Sequence, residues 1–152
     1  VDPVSTKKAK KISAYLDKIH TLKPNLSEAE AISGISINNK KNLQLAADWF
    51  HRKGLKRIFI SMGKKGIYFS NASGSGSVSL NKELEVKNVS GAGDASMAAL
   101  VNAFKKNYGI KKSAYQALIA ASLAVENKST VNPLLTTKKI TRIYNEFASK
   151  KK

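Results

Sequence analysis

Asn88-Val89-Ser90-Gly91-Ala92-Gly93-Asp94 brings small residues and a carboxylate together in one short run, followed directly by Ala95-Ser96-Met97-Ala98-Ala99-Leu100. The run predicts a turn that opens a helix. Beyond it Met97, Leu100, Val101 and Phe104 recur at i, i+3, i+4 and i+7, which predicts one apolar face. The first N–H groups of a helix have no internal partner, and the helix dipole makes that end partly positive. A turn without bulky side chains lets a phosphate approach those groups. Asp94 needs a reason in such a place, because a carboxylate repels an anion. It could take a proton from a hydroxyl that attacks phosphorus. The alternative is that Gly91 and Gly93 shape a turn and Asp94 caps the helix.

Two further runs have chemical potential. In Lys23-Pro24-Asn25-Leu26-Ser27-Glu28, an amide and a carboxylate three residues apart at a helix start could hold water on Mg²⁺. The same pair could instead cap the helix and favour its dipole. Ser61-Met62-Gly63-Lys64-Lys65-Gly66 is a tight turn needing two glycines. It lacks the G-x-x-x-x-G-K-[ST] spacing of a Walker A loop. His20 and His51 stand at helix ends without a partner in sequence and are expected on the surface or near a helix dipole.

These runs must be placed by the elements between them. Ser5 can cap a helix with Ile12, Tyr15, Leu16 and Ile19 on one face. Ser27 to Glu30 fits a capping box for a short helix ending near Gly34. A longer helix is expected around Lys41 to Lys53, with Leu43, Ala46, Ala47 and Phe50 in register and Gly54 as its stop. Arg57–Ser61 and Gly66–Ser70 are β-rich. Asn71 to Ser77 reads as a loop, in which Gly74 and Gly76 make a flexible hairpin connection. Val78–Leu80 and Leu84–Val89 give one or two short strands. Three helices follow: Gly93 to Tyr108, Ser113 to about Glu126, and Thr137 to about Ser149, the last burying Ile140, Ile143, Tyr144 and Phe147. Helices alternating with strands predict an α/β domain with a mostly parallel sheet, and Asn25, Ser61 and Gly91, each following an expected strand, could converge at its carboxyl ends.

At 152 residues the chain can hold one domain with a real core. The absence of cysteine excludes disulfides, thiolate chemistry and cysteine-zinc clusters, and fits a cytoplasmic protein. No apolar run approaches the roughly 18–20 residues that span a bilayer, and no charged-then-apolar leader starts the chain. The start at Val1-Asp2-Pro3, without Met, reads as a removed segment or one part of a longer protein, with Val1–Val4 the tail of a strand and its loop. The formal charge of +17 hints at an anionic partner. However, only Arg52, Arg57 and Arg142 are arginines, and base readout favours Arg. The lysines are spread over many helices, apart from the tail Lys150-Lys151-Lys152, so a solvated surface outweighs a nucleic-acid site.

Val89-Ser90-Gly91-Ala92-Gly93-Asp94 resembles the second signature of the ribokinase-like carbohydrate kinases, the PfkB family, written D-T-x-G-A-G-D. Here Asn88-Val89-Ser90 stands where many members have Asp-Thr-x. The resemblance implies that Asp94 is the catalytic base and that the Gly91, Ala92 and Gly93 amides form the anion hole. Asn25 and Glu28 match the family's N-x-x-E, which implies action on Mg²⁺ and the phosphates through water. Ser61, Gly63 and Gly66 match its T-x-G-x-x-G turn, with Ser for Thr, which implies contact with the phosphates and ribose of ATP. Ala120–Val125 and residues 127–132 resemble the Ala-rich helix and loop beside the adenine; tight helix packing explains the same residues.

Asp2-Pro3-Val4-Ser5, the stretch Ile19–Asn25 with Glu28-Ala29-Glu30 and Ser33-Gly34, and Asn132-Pro133 look like the pseudouridine kinases of the family. That likeness implies transfer of the ATP γ-phosphoryl group to the 5′-hydroxyl of pseudouridine. The implied fold is a ribokinase-like (Rossmann-like) three-layer α/β sandwich, of which residues 1–152 are the C-terminal, nucleotide-binding part. The half with most sugar-binding residues, the β-sheet lid and the first strands is missing. The chain is therefore expected to hold the ATP site and base and to be inactive alone. The implied partners are ATP, Mg²⁺, room for a monovalent cation, and a small sugar or nucleoside acceptor, with no membrane. A half-sheet would expose an edge and favour a homo-oligomer. Two other functions remain: a basic nucleic-acid-binding module, and a non-catalytic interaction domain that keeps the kinase fold.

Overall fold

The computed structural model describes residues 1–80, 85–129, 132–133 and 135–149. The chain forms two compact units, Val1–Ser77 and Val78–Lys152. The Lys150–Lys152 tail, Leu84 of the expected strand, and residues 130 and 131 of the adenine-side loop lie outside the described residues.

The first unit is a sheet with helices on it. Its strands β1 (Thr21–Leu22), β2 (Arg57–Ser61), β3 (Ile67–Asn71) and β4 (Gly74–Val78) lie in the order β1-β2-β3-β4. β1 runs parallel to β2, with Thr21 opposite Arg57 and Leu22 opposite Ile58. β3 runs antiparallel to β2, with Ser61 opposite Ile67 and Arg57 opposite Asn71. The sheet is thus mixed, which corrects the expectation of a mostly parallel one. The reason is chain length: residues 62–66 can reverse the chain but cannot cross over the sheet, as a parallel partner would require.

The stretch Asn71–Ser77 is likewise a correction, for it is mostly strand β4 rather than loop. Its glycines have a packing reason. A Cβ on Gly76 would lie 3.0 Å from Cζ of Phe69, so the missing side chain makes room for that ring.

α1 (Thr6–Ile12) starts where Ser5 Oγ accepts the Lys8 N–H, and it tightens into a 3-10 turn over Ser13–Lys18. This turn buries Leu16 but leaves Tyr15 exposed, so the expected single helical face is broken. α2 (Leu26–Ser33) and α3 (Lys40–Arg52) both pack on β2. The predicted α3 face is the buried one: Leu43, Ala46, Ala47 and Phe50. Leu22, Ile58, Ile60 and Tyr68 from the sheet join Leu43, Ala47, Phe50, Ala29 and Ile32 in one core.

His51 sits in the last turn of α3, the helix-dipole position that the sequence suggested. It is half-buried, with Nδ1 at 2.9 Å from the Leu55 carbonyl and Nε2 at 2.8 Å from Ser70 Oγ. A carbonyl only accepts, so Nδ1 carries the proton and, in the neutral ring, Nε2 accepts from the serine. The ring ties the end of α3 to β3. His20 does lie at the surface, with Nδ1 2.8 Å from Thr21 Oγ1.

The second unit is helical in its described residues. α4 (Ala92–Lys105) and α6 (Thr137–Ser149) each pack on α5 (Ile110–Val125). The buried face of α4 is Ala95, Ser96, Ala99, Leu100 and Ala103. Val101 and Phe104, part of the expected apolar face, are 54% and 53% exposed. The alanine face wins because small residues let two helices approach closely, and Ala95 and Ala99 meet Ala120, Leu123 and Ala124 of α5. No strand forms over residues 85–89. The Lys87 and Asn88 N–H groups instead donate to the Val125 carbonyl at 2.8 and 3.1 Å. No described helix is long and apolar enough to cross a membrane.

Two measurements check this packing. Gly54 has φ +96°, and a Cβ there would meet the Asp17 Cα at 2.9 Å. Gly54→Ala is expected to cost about 2 kcal/mol or more in urea denaturation, since both the backbone region and the space are closed to it. Tyr68 donates its O–H to Gln44 Oε1 at 2.7 Å, and burial pushes its phenol above the usual range. An unfolded tyrosine ionises near pH ~10, so the folded form holds its proton longer. Its contribution is complete below that pH and is lost as pH rises through the folded value. Tyr68→Phe should therefore flatten the fall of the urea midpoint between about pH 9 and 11.

Candidate active site

Strand β1 is very short, and its end is fixed by the helix that follows. Asn25 is extended and is the N-cap of α2. Its Oδ1 accepts the Glu28 N–H at 2.9 Å, and Glu28 Oε2 accepts the Asn25 N–H at 2.9 Å. This reciprocal capping box belongs to Asn25 and Glu28, not to Ser27 and Glu30 as the sequence pattern suggested. Glu28 is buried although charged, which the pairing permits. Glu30 acts further along the chain, where its Oε1 accepts the Ile37 N–H at 2.6 Å and closes the loop after α2.

The Ser61 turn sits beside this cap. Ser61 forms a parallel bridge with Asn25, and its N–H donates to the Pro24 carbonyl at 2.9 Å. The turn closes through Met62 N–H to the Gly66 carbonyl at 2.8 Å and Gly66 N–H to the Gly63 carbonyl at 3.0 Å. Within the turn Gly63, Lys64 and Lys65 are exposed. Two of the expected motifs therefore meet at the carboxyl ends of β1 and β2, the side of an α/β sheet on which ligands bind.

Sequence reasoning passed over Lys23, two residues before the cap. It is buried, and its Nζ lies 2.9 Å from Asp2 Oδ2. Asp2 also accepts the Val4 N–H at 3.1 Å, across a turn in which Val4 has φ +67°. A β-branched residue rarely adopts that backbone, so this turn is strained. The signal was a lysine flanked by Leu22 and Pro24, in a stretch otherwise buried.

In the second unit the N-cap of α4 is Gly91, in the left-handed region at φ +81°, and no side-chain hydrogen bond caps it. Asp94 lies in the first turn and is exposed. It is not the cap, which removes the simplest structural explanation for a carboxylate at this point. Gly93 is also exposed, and Gly91 and Ala92 are partly so. The segment before Gly91 is not a strand, contrary to expectation; it hangs from the end of α5 by the two bonds to Val125. In the Ala-rich helix, Ala120 and Ala124 are buried against α4, so helix packing accounts for their size.

The oxygen donors here are of the kind that Mg²⁺ takes. Asn25 and Glu28 offer hard oxygen ligands, with Glu28 Oε2 engaged in the cap and Oε1 as the remaining acceptor. Among the described residues, no group of three or more His, Cys, Asp or Glu could form an all-protein cage. Mg²⁺ keeps several waters and takes phosphate oxygens when few protein ligands are present, and this pair could hold those waters.

The profile of the pfkB family carbohydrate kinases matches residues 1–138, and the chain belongs to that family. It is 41% identical over 136 residues to a pseudouridine kinase of Escherichia coli (strain K12), covering 90% of this chain and 44% of that protein. A solved structure of a sugar kinase from Clostridium perfringens superposes with a TM-score of 0.90 at 29% identity, covering 95% of this chain and 46% of the other. Arabidopsis thaliana ribokinase, complexed with ribose and ATP, is alike in fold, with a TM-score of 0.77 at 24% identity over 86% of this chain and 42% of its own. The fold is ribokinase-like α/β, and the chain spans less than half the length of these relatives.

The cap is directly testable. Asn25→Ala is expected to cost about 1 kcal/mol of stability, because it removes the acceptor for the Glu28 N–H. Asn25→Asp keeps an acceptor and should cost less. Urea denaturation of the two variants checks the order.

Proposed function

We propose that this chain carries the nucleotide-binding and base-bearing part of a kinase that transfers the ATP γ-phosphoryl group to a hydroxyl of a sugar or nucleoside. The 5′-hydroxyl of pseudouridine is the acceptor we favour. The observation that carries the reading is the start of α4, where Gly91 leaves the helix without a side-chain cap and Asp94 stands exposed in the first turn. Membership of the pfkB family supports the reaction class. The 41% identity to a pseudouridine kinase supports the acceptor.

On this reading Asp94 takes the proton of the acceptor hydroxyl as its oxygen bonds to the γ-phosphorus. The bond from that phosphorus to the bridging oxygen breaks, and ADP leaves. The Gly91, Ala92 and Gly93 amides stabilise charge on the transferring group. Ser61, Gly63 and Gly66 lie along the nucleotide. Asn25 and Glu28 orient water about Mg²⁺, which when bound neutralises charge on the phosphate oxygens.

Titrating Mg·ATP into the chain by calorimetry is expected to give saturable one-to-one binding, weakened by Gly93→Val, whose side chain would block approach to the amides. In a protein that also carries the acceptor-binding half, Asp94→Asn should keep ATP affinity while lowering kcat about a hundred- to ten-thousand-fold. Near-normal turnover in that variant would sink the assignment of the base. Turnover with ribose but none with pseudouridine would overturn the acceptor.

A further inference from the structure

The side chain of Asn88 makes two hydrogen bonds of opposite sense. Its Nδ2 donates to the Lys128 carbonyl at 3.1 Å, and its Oδ1 accepts the Ser90 N–H at 2.9 Å. Both partners are backbone groups with fixed roles, so the orientation of the amide follows from chemistry. A carboxylate here could accept from Ser90 but could not donate to Lys128. Asparagine thus does what aspartate, the residue of the D-T-x-G-A-G-D signature, could not do with these partners.

The surroundings give the bond pair its purpose. The N–H groups of Lys87 and Asn88 both end on the Val125 carbonyl, at the last turn of α5. The loop that follows is shaped by Asn127, whose Oδ1 accepts the Ser129 N–H at 2.8 Å. Backbone bonds therefore hold residues 87 and 88, and the Asn88 side chain carries the anchoring forward to Ser90, next to the Gly91 cap.

We propose that Asn88 is a positioning residue for the turn that opens α4: it locks Ser90 to the loop 127–129, so that the aim of the Gly91–Gly93 amides depends on that loop. The catalytic consequence rests on the proposed role of those amides in phosphoryl transfer; the lock itself does not.

Hydrogen–deuterium exchange on the full chain, comparing the parent with Asn88→Asp and Asn88→Ala, tests it. At pH 7 Asn88→Ala loses both bonds and should speed exchange over 89–94 and over 127–129 by about three- to ten-fold. Asn88→Asp keeps the bond from Ser90 and loses the one to Lys128, so 127–129 should open while Ser90 stays protected. Protonating the introduced carboxyl near pH ~4 gives it a donor again. Protection over 127–129 should then recover in Asn88→Asp but not in Asn88→Ala, a response that loss of packing would not produce. Mg·ATP affinity at pH 7 should fall about three- to ten-fold in both variants.

Parent-like exchange over 127–129 in both variants overturns the lock. Altered exchange with unaltered ATP affinity overturns the positioning role. The predicted exchange pattern in a parent that binds no ATP leaves the lock standing and overturns instead the expectation that this chain forms the ATP site by itself.

Discussion

A two-residue strand cannot hold its own end, and the first unit solves this with one pair of side-chain bonds. Asn25 and Glu28 each satisfy the other's backbone N–H at 2.9 Å. That exchange ends β1, starts α2 and sets Asn25 in bridge register with Ser61. The Ser61–Gly66 turn then follows from the position of Ser61, because β2 and β3 pair on either side of it. The same two residues are those proposed to order water around Mg²⁺. A structural cap and a ligand set are not competing explanations here: the cap gives Glu28 a reason to be charged and buried, and it holds both oxygen donors in one geometry.

The second unit depends on an end of a different kind. The carbonyl groups in the last turn of a helix have no intrahelical donors, and Val125 at the end of α5 receives two from the chain that leads into α4. An orphaned acceptor on one helix thus becomes the anchor for the start of another. Between the helices themselves, alanines set the spacing: Ala95 and Ala99 on α4, Ala120 and Ala124 on α5. The start of α4 is not capped by any side chain, which is what its proposed role toward a phosphate requires.

Charge acts over longer range than any of these bonds. With 27 Lys and Arg against 10 Asp and Glu, the cations outnumber the acidic side chains by 17. The field of such a surface draws polyanions such as nucleotide triphosphates, and salt screens it. A field of this kind contributes to encounter rather than to selectivity.

The motifs were legible in the sequence because each acts within a few residues. Asn25 and Glu28 are three apart, the Ser61–Gly66 turn closes on itself, and the Gly91 turn meets its helix at once. The core of α3 was legible for the same reason, since its large apolar residues share one helical face. What the sequence could not decide was which neighbour each face meets. Met97, Leu100, Val101 and Phe104 make the stronger apolar pattern on α4, yet the alanine face is buried, because closeness to α5 rewards small side chains that carry little hydrophobic signal. Asn71–Ser77 read as a loop until Phe69 lay across Gly76. Asn88 looked like a departure from a signature, and only the fold brings the Lys128 carbonyl to its amide. Local chemistry was written in the order of residues, while partners distant in the chain were chosen by packing.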